Sequence, residues 1–400
     1  MNSNKVTRIL YVGISPIQNT KPYRLLHENP DFIGTVVYLK KPVANTKEDK
    51  ESITKAAFDT DLLSGYNNHF LKTFSITGKG FFSAIAPGIF KWVRKHDLIV
   101  VYGHNYFTFW LAMMAAKLFG KRLIQTTDAI YMEATAESGG WKMKVKPVFL
   151  RSMYNKFVNG VFVTSTTSKL FLQSVGILPG KIGVIPYAVD EDMIQQVSEG
   201  TDIKKLRGEW NIPLTDTVFV FCAKFISRKR PQDAIDAFAK INSQDATLVM
   251  VGDGPMMQEL KQHVNDLHLQ YKIIFTGLVN YSMLPSYYTA SDVLVFCSEH
   301  EPYGLPVNEA MLCGKPVIVS DRIGARLDLV EEEKTGWIYR TGDVQQLSEL
   351  LKKVIVYKTD GRLLKMGLAA KMKMQTWSSE TNLNNQLEFF RSKKWIKRQC

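Results

Sequence analysis

The chain has 400 residues, 45% of them apolar and 22% charged, with a formal net charge of +13. That length suggests two or three domains, and the apolar fraction fits a globular protein with large cores and excludes a disordered or fibrous chain. Four cysteines, Cys222, Cys297, Cys313 and Cys400, show neither a disulfide framework nor metal-ligand spacing, so a reducing cytoplasm is the expected compartment.

The opening MNSNKVTRILYVG lacks the apolar core of a signal peptide and runs straight into a strand at Arg8 to Gly13. Short β-branched runs between turn residues predict further strands at Val36 to Leu39, Asp97 to Tyr102, Arg122 to Gln125, Val161 to Thr164 and Ile182 to Pro186. An apolar helix is expected from Tyr106 to Phe119; Lys117 interrupts it, and it falls short of the roughly 20 residues a membrane span needs. Strands alternating with helices argue for a parallel, doubly wound sheet. Ligands of such sheets bind beyond the carboxyl ends of the strands. Three polar sites lie there: Ser15, His104 with Asn105, and Thr127 with Asp128. His104 is placed either to hydrogen-bond a sugar or phosphate or to cap the following helix. Asp128 is placed to orient a hydroxyl or accept its proton.

Charge is lopsided. Residues 1–190 hold 24 Lys+Arg against 12 Asp+Glu, and residues 191–400 hold 27 against 26. A basic half beside a neutral one points to an anionic partner: nucleic acid, a membrane face or a phosphorylated substrate. Residues 141–157 and the segment Phe389 to Lys397 interleave basic with aromatic residues. They read either as segments lying on an anionic membrane or as amphipathic helices with lysines snorkelling over a core face.

The chain turns polar around Glu199 to Asp202, and a domain boundary is expected near residues 190–205. Asp190-Glu191-Asp192 reads as an N-cap with acidic first-turn residues rather than a D-x-D metal motif. Strands then restart at Val218 to Ala223, Thr247 to Val251, Ile273 to Phe275, Val293 to Phe296, Val317 to Val319 and Trp337 to Tyr339. After the first of them comes a basic loop with Lys224, Arg228, Lys229 and Arg230, opening a helix at Pro231. Lysines there can neutralise phosphates as point charges. Gly-Asp-Gly-Pro follows Leu248 to Val251 and reads as a turn. Residues 344–375 read as helices and the segment after Trp377 as a terminal helix.

The densest pattern is Phe296 to Ser320, with Glu301 and Glu309 eight positions apart around Pro-Tyr-Gly-Leu-Pro. Gly304 permits close backbone approach, Pro306 suits a first helical turn, and the helix N-terminus suits a diphosphate. Glu301, Tyr303, Gly304, Leu305, Glu309, Ala310, Met311, Gly314, Pro316, Val317 and Ile318 resemble the E-x7-E signature of the retaining GT-B glycosyltransferases of family 4, the glycosyl transferases group 1. Ala223, Lys224, Phe225 and Lys229 align with that family's G-[RK]-L-x-x-x-K-G pattern. They depart from it at Ala223 for Gly, Lys224 for the commoner Arg, and Arg230 for Gly. VGDGP, Ile274 to Gly277 and Val184 to Asp190 match further family motifs.

The resemblance implies an α/β GT-B fold: two Rossmann-like doubly wound domains facing each other across a cleft. Residues 1–195 would bind acceptor, residues 205–378 would bind the nucleotide-sugar donor, and a C-terminal helix over 379–400 could cross back to the N-terminal domain. It implies a retaining, metal-independent hexosyltransferase with no cofactor. The donor would be a nucleotide-diphosphate sugar, UDP favoured and GDP next. The acceptor would be a saccharide or lipid-linked saccharide of cell-surface polysaccharide or glycoconjugate biosynthesis. Lys224 and Lys229 would grip the diphosphate, Glu309 the ribose and Glu301 the sugar hydroxyls. Tyr303, Gly304, Leu305 and Gly277 would border the donor. Asp128 is carried over as the acceptor-side catalytic residue, beside Ser15 and His104. A cytoplasmic location, at the inner face of the membrane, and no nucleic-acid partner follow. A nucleotide-sugar 2-epimerase or phosphorylase on the same fold, or a nucleic-acid-binding protein using the basic half, stand as alternatives.

Overall fold

The computed structural model describes residues 6–16, 20–41, 59–130, 148 and 150–396. They form two α/β units. The first takes the N-terminal stretch, Asp61–Ala188 and the chain from Ser378; the second takes Val189–Trp377.

The first unit holds β1 (Thr7–Gly13), β2 (Phe32–Tyr38), β3 (Asn68–Phe70), β4 (Leu98–Tyr102), β5 (Arg122–Thr127), β6 (Gly160–Val163) and β7 (Ile182–Val184). They pair as one parallel sheet in the order β3-β2-β1-β4-β5-β6-β7. Successive side chains of a strand face opposite ways, so the continuous apolar runs feed two cores. Leu10, Val12, Ile99 and Val101 join the core on one face, and Ile9, Tyr11, Leu98 and Val100 that on the other. Both faces are covered, which is why β1, β2, β4 and β6 are apolar along most of their length.

The helix Ser379–Ser392 closes the second of those cores with Leu383, Leu387 and Phe390. Phe389 lies 5.2 Å from Phe162, ring to ring. Gly160 and Gly183 make its room: a Cβ there would fall 2.7 and 2.9 Å from the Phe389 ring. Trp395 packs on Phe389 and Phe390, and the Lys393 ammonium donates to the Gly180 carbonyl. The terminal aromatic segment is therefore a core element and not a membrane-lying one, because its rings point inward. Of the other basic-aromatic segment, residues 141–147 and 149 lie outside the described residues.

The second unit holds β8 (Thr217–Cys222), β9 (Ala246–Val251), β10 (Ile273–Gly277), β11 (Val293–Phe296), β12 (Val317–Ser320) and β13 (Gly336–Tyr339). Their order is β10-β9-β8-β11-β12-β13, again with all strands parallel. Cys222, Cys297 and Cys313 are buried free thiols; burial pushes Cys222 and Cys297 up to about 12. Each strand expected from sequence is present, and β3, a three-residue edge strand without an apolar run, was not foreseen. Strand order reverses between β1 and β4 and between β8 and β11, so each sheet has a switch point where a ligand crevice forms. Among the described residues, no helix is long and apolar enough to cross a membrane.

Candidate functional site

At the switch point of the second sheet, the loop after β8 meets the loop after β11. Lys229 ends the short turn Ser227–Lys229, and the helix Pro231–Ile241 follows. Its ammonium pairs with the Glu301 carboxylate, with only 14% and 16% of the two side chains exposed. The ammonium also sits 5.3 Å from the Phe296 ring centroid. Hydrogen bonds between the two loops fix this meeting. The Arg228 guanidinium donates to the His300 carbonyl at 2.6 Å, and the Glu299 N–H to the Arg228 carbonyl at 3.0 Å. On the other side, Gly324 and Ala325 N–H groups donate to the Glu301 and Tyr303 carbonyls, both at 2.9 Å.

Gly304 then opens the helix Leu305–Leu312 with φ of 107°. A Cβ there would lie 2.8 Å from Ile323 Cγ2 and 3.6 Å from Glu301 Cγ. Only glycine fits both the angle and the space. The Glu301 side chain thus stands beside the positive end of a helix dipole, with the Lys229 ammonium against it.

Glu309 lies one turn further on and is 4% exposed. Its carboxylate accepts from the Tyr288 hydroxyl at 2.8 Å. Burial raises this carboxyl to about 7, and the Tyr288 and Tyr281 hydroxyls pull it partly back. Tyr303, expected to border the donor, turns its ring inward. It is 3% exposed, and its hydroxyl accepts from the Trp377 indole N–H at 2.5 Å and the Asn308 amide at 3.2 Å. The ring braces the loop from inside, and only its backbone faces the site's turn.

Lys224 is exposed on the loop beyond β8, and Gly277 ends β10 at φ of 72° with open space around its Cα. Sequence reading gave the Gly-Asp-Gly-Pro turn no role. Its glycines let the turn lie directly against the Lys224 loop: a Cβ on Gly252 would be 2.0 Å from the Ala223 carbonyl oxygen, and one on Gly254 2.5 Å from that of Phe225. The Phe225 N–H donates to the Asp253 carbonyl at 2.9 Å, so this turn props the basic loop. Arg230 is a further surprise. It takes φ 51°, ψ 48°, the left-handed conformation that suits the family's glycine. Its guanidinium grips Asp233 through Nε at 2.7 Å and Nη2 at 3.1 Å, and reaches Glu299 at 3.3 Å.

The first unit carries a cavity of about 490 Å³ at the carboxyl ends of β1, β4, β5 and β6. Ser15, His104 and Asp128 all line it, so the three acceptor-side candidates come together. Asn105 and Thr127 line it with them, whereas sequence reading missed Tyr23, Tyr38, Tyr102, Tyr187, Asn382 and Gln386. These come from separate segments, and no spacing rule links them. The Tyr23 hydroxyl donates to that of Tyr102 at 2.9 Å; burial pushes Tyr102 up to about 12, so this phenol stays protonated. Gln386 accepts from the Tyr11 hydroxyl at 2.9 Å and donates to Asn382 at 2.7 Å. Thr164 also lines the cavity, is 7% exposed, and its hydroxyl has no hydrogen-bond partner among the described residues. A buried hydroxyl in that state costs free energy that a bound polar ligand recovers.

Two family models match this chain: Glycosyltransferase Family 4 over residues 53–193 and Glycosyl transferases group 1 over residues 202–371. The chain is 32% identical over 165 residues to the N-acetyl-alpha-D-glucosaminyl L-malate synthase of Bacillus anthracis, covering 40% of this chain and 42% of that protein. It is 26% identical over 284 residues to the UDP-Gal:alpha-D-GlcNAc-diphosphoundecaprenol alpha-1,3-galactosyltransferase of Escherichia coli, covering 69% and 70%. The chain spans about half the length, or less, of several curated relatives it matches. Among solved structures, the HepE protein of Anabaena in complex with UDP superimposes with a TM-score of 0.73 at 20% identity, covering 96% of this chain and all of that one. This likeness establishes the shared fold.

Proposed function

The chain belongs to the family-4 glycosyltransferases of the GT-B fold, and from that membership we propose that it is a retaining, metal-independent hexosyltransferase using a nucleotide-diphosphate sugar. The observation that carries this reading is the pairing of Lys229 with Glu301 at the switch point of the second sheet, beside the Gly304 helix start. A cation, a helix N-terminus and a hydroxyl-accepting carboxylate in one place suit a sugar diphosphate. UDP is the favoured nucleotide. Its support is that the Escherichia coli relative is named for UDP-Gal and that HepE structures hold UDP and UDP-glucose; a mycobacterial relative named for GDP-mannose makes GDP the next choice.

In this mechanism Lys229 turns from Glu301 to the diphosphate, with Lys224 closing on it from the loop above. The freed Glu301 carboxylate accepts hydrogen bonds from sugar hydroxyls, and Glu309 accepts from the ribose. As the bond from the anomeric carbon to the diphosphate oxygen breaks, the acceptor oxygen bonds to that carbon on the same face. The acceptor proton passes to a departing phosphate oxygen. Fixed positive groups aimed at developing charge lower the barrier without reorganising. The acceptor, a saccharide or lipid-linked saccharide, enters the tyrosine-walled cavity. Asp128 orients its hydroxyl there, with Ser15 and His104 at the rim. The reaction takes place in the cytoplasm.

Calorimetry with UDP, GDP, ADP and their sugar conjugates, with and without EDTA, tests the donor reading. Selective binding unaffected by EDTA is expected, and Lys229→Ala should lower kcat/KM roughly 100-fold. Binding of none of these nucleotides would overturn the proposal. An NMR assay of the product's anomeric configuration tests retention.

A further inference from the structure

The helix Phe107–Leu118 of the first unit is apolar nearly all round. Its inner side, with Phe109, Ala112 and Ala116, is buried. A surface helix normally turns polar residues outward. Here Met114 is 59% and Leu118 70% exposed. With Phe107 and Leu111 they recur at spacings of four, three and four, which is one stripe of a helix.

The stripe runs on into a hairpin. Phe74 and Ile85 bridge its base, and the Ile76 N–H donates to the Phe82 carbonyl at 3.1 Å. Ile76 is 70% exposed at its tip, and Phe74, Phe81 and Phe82 are exposed beside it. The rings of Phe81 and Phe82 lie 5.8 and 5.4 Å from that of Phe107, and the Phe107 N–H donates to the Phe81 carbonyl at 2.9 Å. Single exposed apolar residues are ordinary, but a continuous patch of this kind marks an interaction surface.

Charge identifies the partner. Residues 68–121 contain seven Lys and Arg and a single acidic residue, Asp97. Lys79 at the hairpin tip and Lys117 on the helix are exposed, as are Lys91, Arg94 and Lys95 on the neighbouring helix Ile89–Lys95. A second copy of this chain would bring like charges together, whereas an anionic surface neutralises them.

We propose that this face docks on an anionic lipid bilayer. The phenylalanine rings with Ile76, Met114 and Leu118 enter the boundary between headgroups and acyl chains, and the surrounding lysines hold headgroup phosphates. The docking does not depend on the transferase reading. It does have a consequence for it. The helix starts directly after His104 and Asn105, both on the cavity wall, and the Trp110 indole N–H donates to the His104 carbonyl at 3.1 Å. A bilayer held by this helix therefore lies near the cavity's rim.

The test is sedimentation of the full chain with vesicles of phosphatidylglycerol and phosphatidylcholine, against phosphatidylcholine alone, at low and high salt. Binding to the anionic vesicles is expected, falling with salt. Three variants should each weaken it at least tenfold: Ile76→Ser/Phe81→Ser/Phe82→Ser, Met114→Gln/Leu118→Gln and Lys79→Glu/Lys117→Glu. The residues of the second and third variants are exposed, so unchanged melting curves and unchanged UDP binding are expected of them; the first variant also loses the ring contacts to Phe107, and its vesicle binding is read beside its own melting curve. No vesicle binding by the wild type, or equal binding by all variants, overturns the proposal. So does light scattering that shows a dimer split by the apolar substitutions, which would assign the face to a second copy.

Discussion

The most consequential single residue for pH behaviour is Glu309. Its carboxyl is held near 7 by burial, against an unfolded value of about 4.3. Between those values the folded state keeps a proton that the unfolded state has lost. The contribution to stability is therefore fully present below the unfolded value and is lost as pH rises through about 7. Each pH unit separating the two values corresponds to about 1.4 kcal/mol, so the loss between pH 4.5 and pH 8 is about 3 kcal/mol. Urea unfolding of the wild type and Glu309→Gln at both pH values measures it. The wild type should show the extra pH dependence, and the variant should not. In the ribose-binding role proposed for Glu309, hydroxyls donate to the ionised carboxylate, so nucleotide affinity should rise as pH passes through about 7. Arg230 makes a second prediction at this scale. A left-handed non-glycine residue costs about 1 kcal/mol, and the bidentate grip on Asp233 offsets it. Arg230→Ala keeps the strain and loses the pair; Arg230→Gly loses both. Stability should fall in the order wild type, Gly, Ala, with about 1 kcal/mol between the two variants. A reversal of Gly and Ala would show that the angle carries no strain.

The elements of the second unit are tied by one largely covered carboxylate, 18% exposed. Asp292, just before β11, accepts from the Arg207 guanidinium at 3.0 Å, the Val218 N–H at 2.7 Å and the Lys358 ammonium at 2.9 Å. It thereby joins the helix Ile203–Glu209, strand β8 and the helix Val344–Thr359. Arg207 is 5% exposed, and removing its partner leaves a buried charge unpaired. Asp292→Ala should cost about 3 kcal/mol or more, read from a shifted denaturant midpoint. None of this was legible in the sequence, since Arg207, Asp292 and Lys358 belong to no shared motif. The strands themselves were legible, because a strand covered on both faces must be apolar throughout and its ends fall at Gly, Pro and Asp. The pairing of Lys229 with Glu301 spans 72 positions; only the two family patterns pointed to both residues. The inward turn of the Tyr303 ring was not legible either. Its direction is set by Trp377 and Asn308, which no local rule connects to it. The tyrosine wall of the cavity was missed for the same reason.

At the scale of the whole molecule, the chain makes its first unit from both ends. The stretch from Ser378 belongs to that unit, while Val189–Trp377 forms the other. Strand β1 is therefore covered on one face by a helix more than 360 positions away, and the Tyr11 hydroxyl bonds Gln386 across that distance. Phe390 is fully buried in this contact. Truncating such a ring leaves a cavity and typically costs about 3–5 kcal/mol. Denaturant midpoints report how stable a unit is but not which of its elements open, so the informative readout here is local. Hydrogen exchange resolved by peptide should show Phe390→Ala speeding exchange in β1, β2 and β4, whose side chains share its core. Exchange in β8, β11 and β12 should stay at the wild-type rate, because their core contains no residue of the C-terminal helix. UDP binding offers the reciprocal test of the proposed donor site, since a ligand stabilises what it touches. It should slow exchange in the loops carrying Lys229, Glu301 and Gly304 in wild type and in Phe390→Ala alike. Loss of protection in both sheets on Phe390→Ala would mean that the two units unfold as one body, and that the C-terminal helix supports the donor site as well as the cavity.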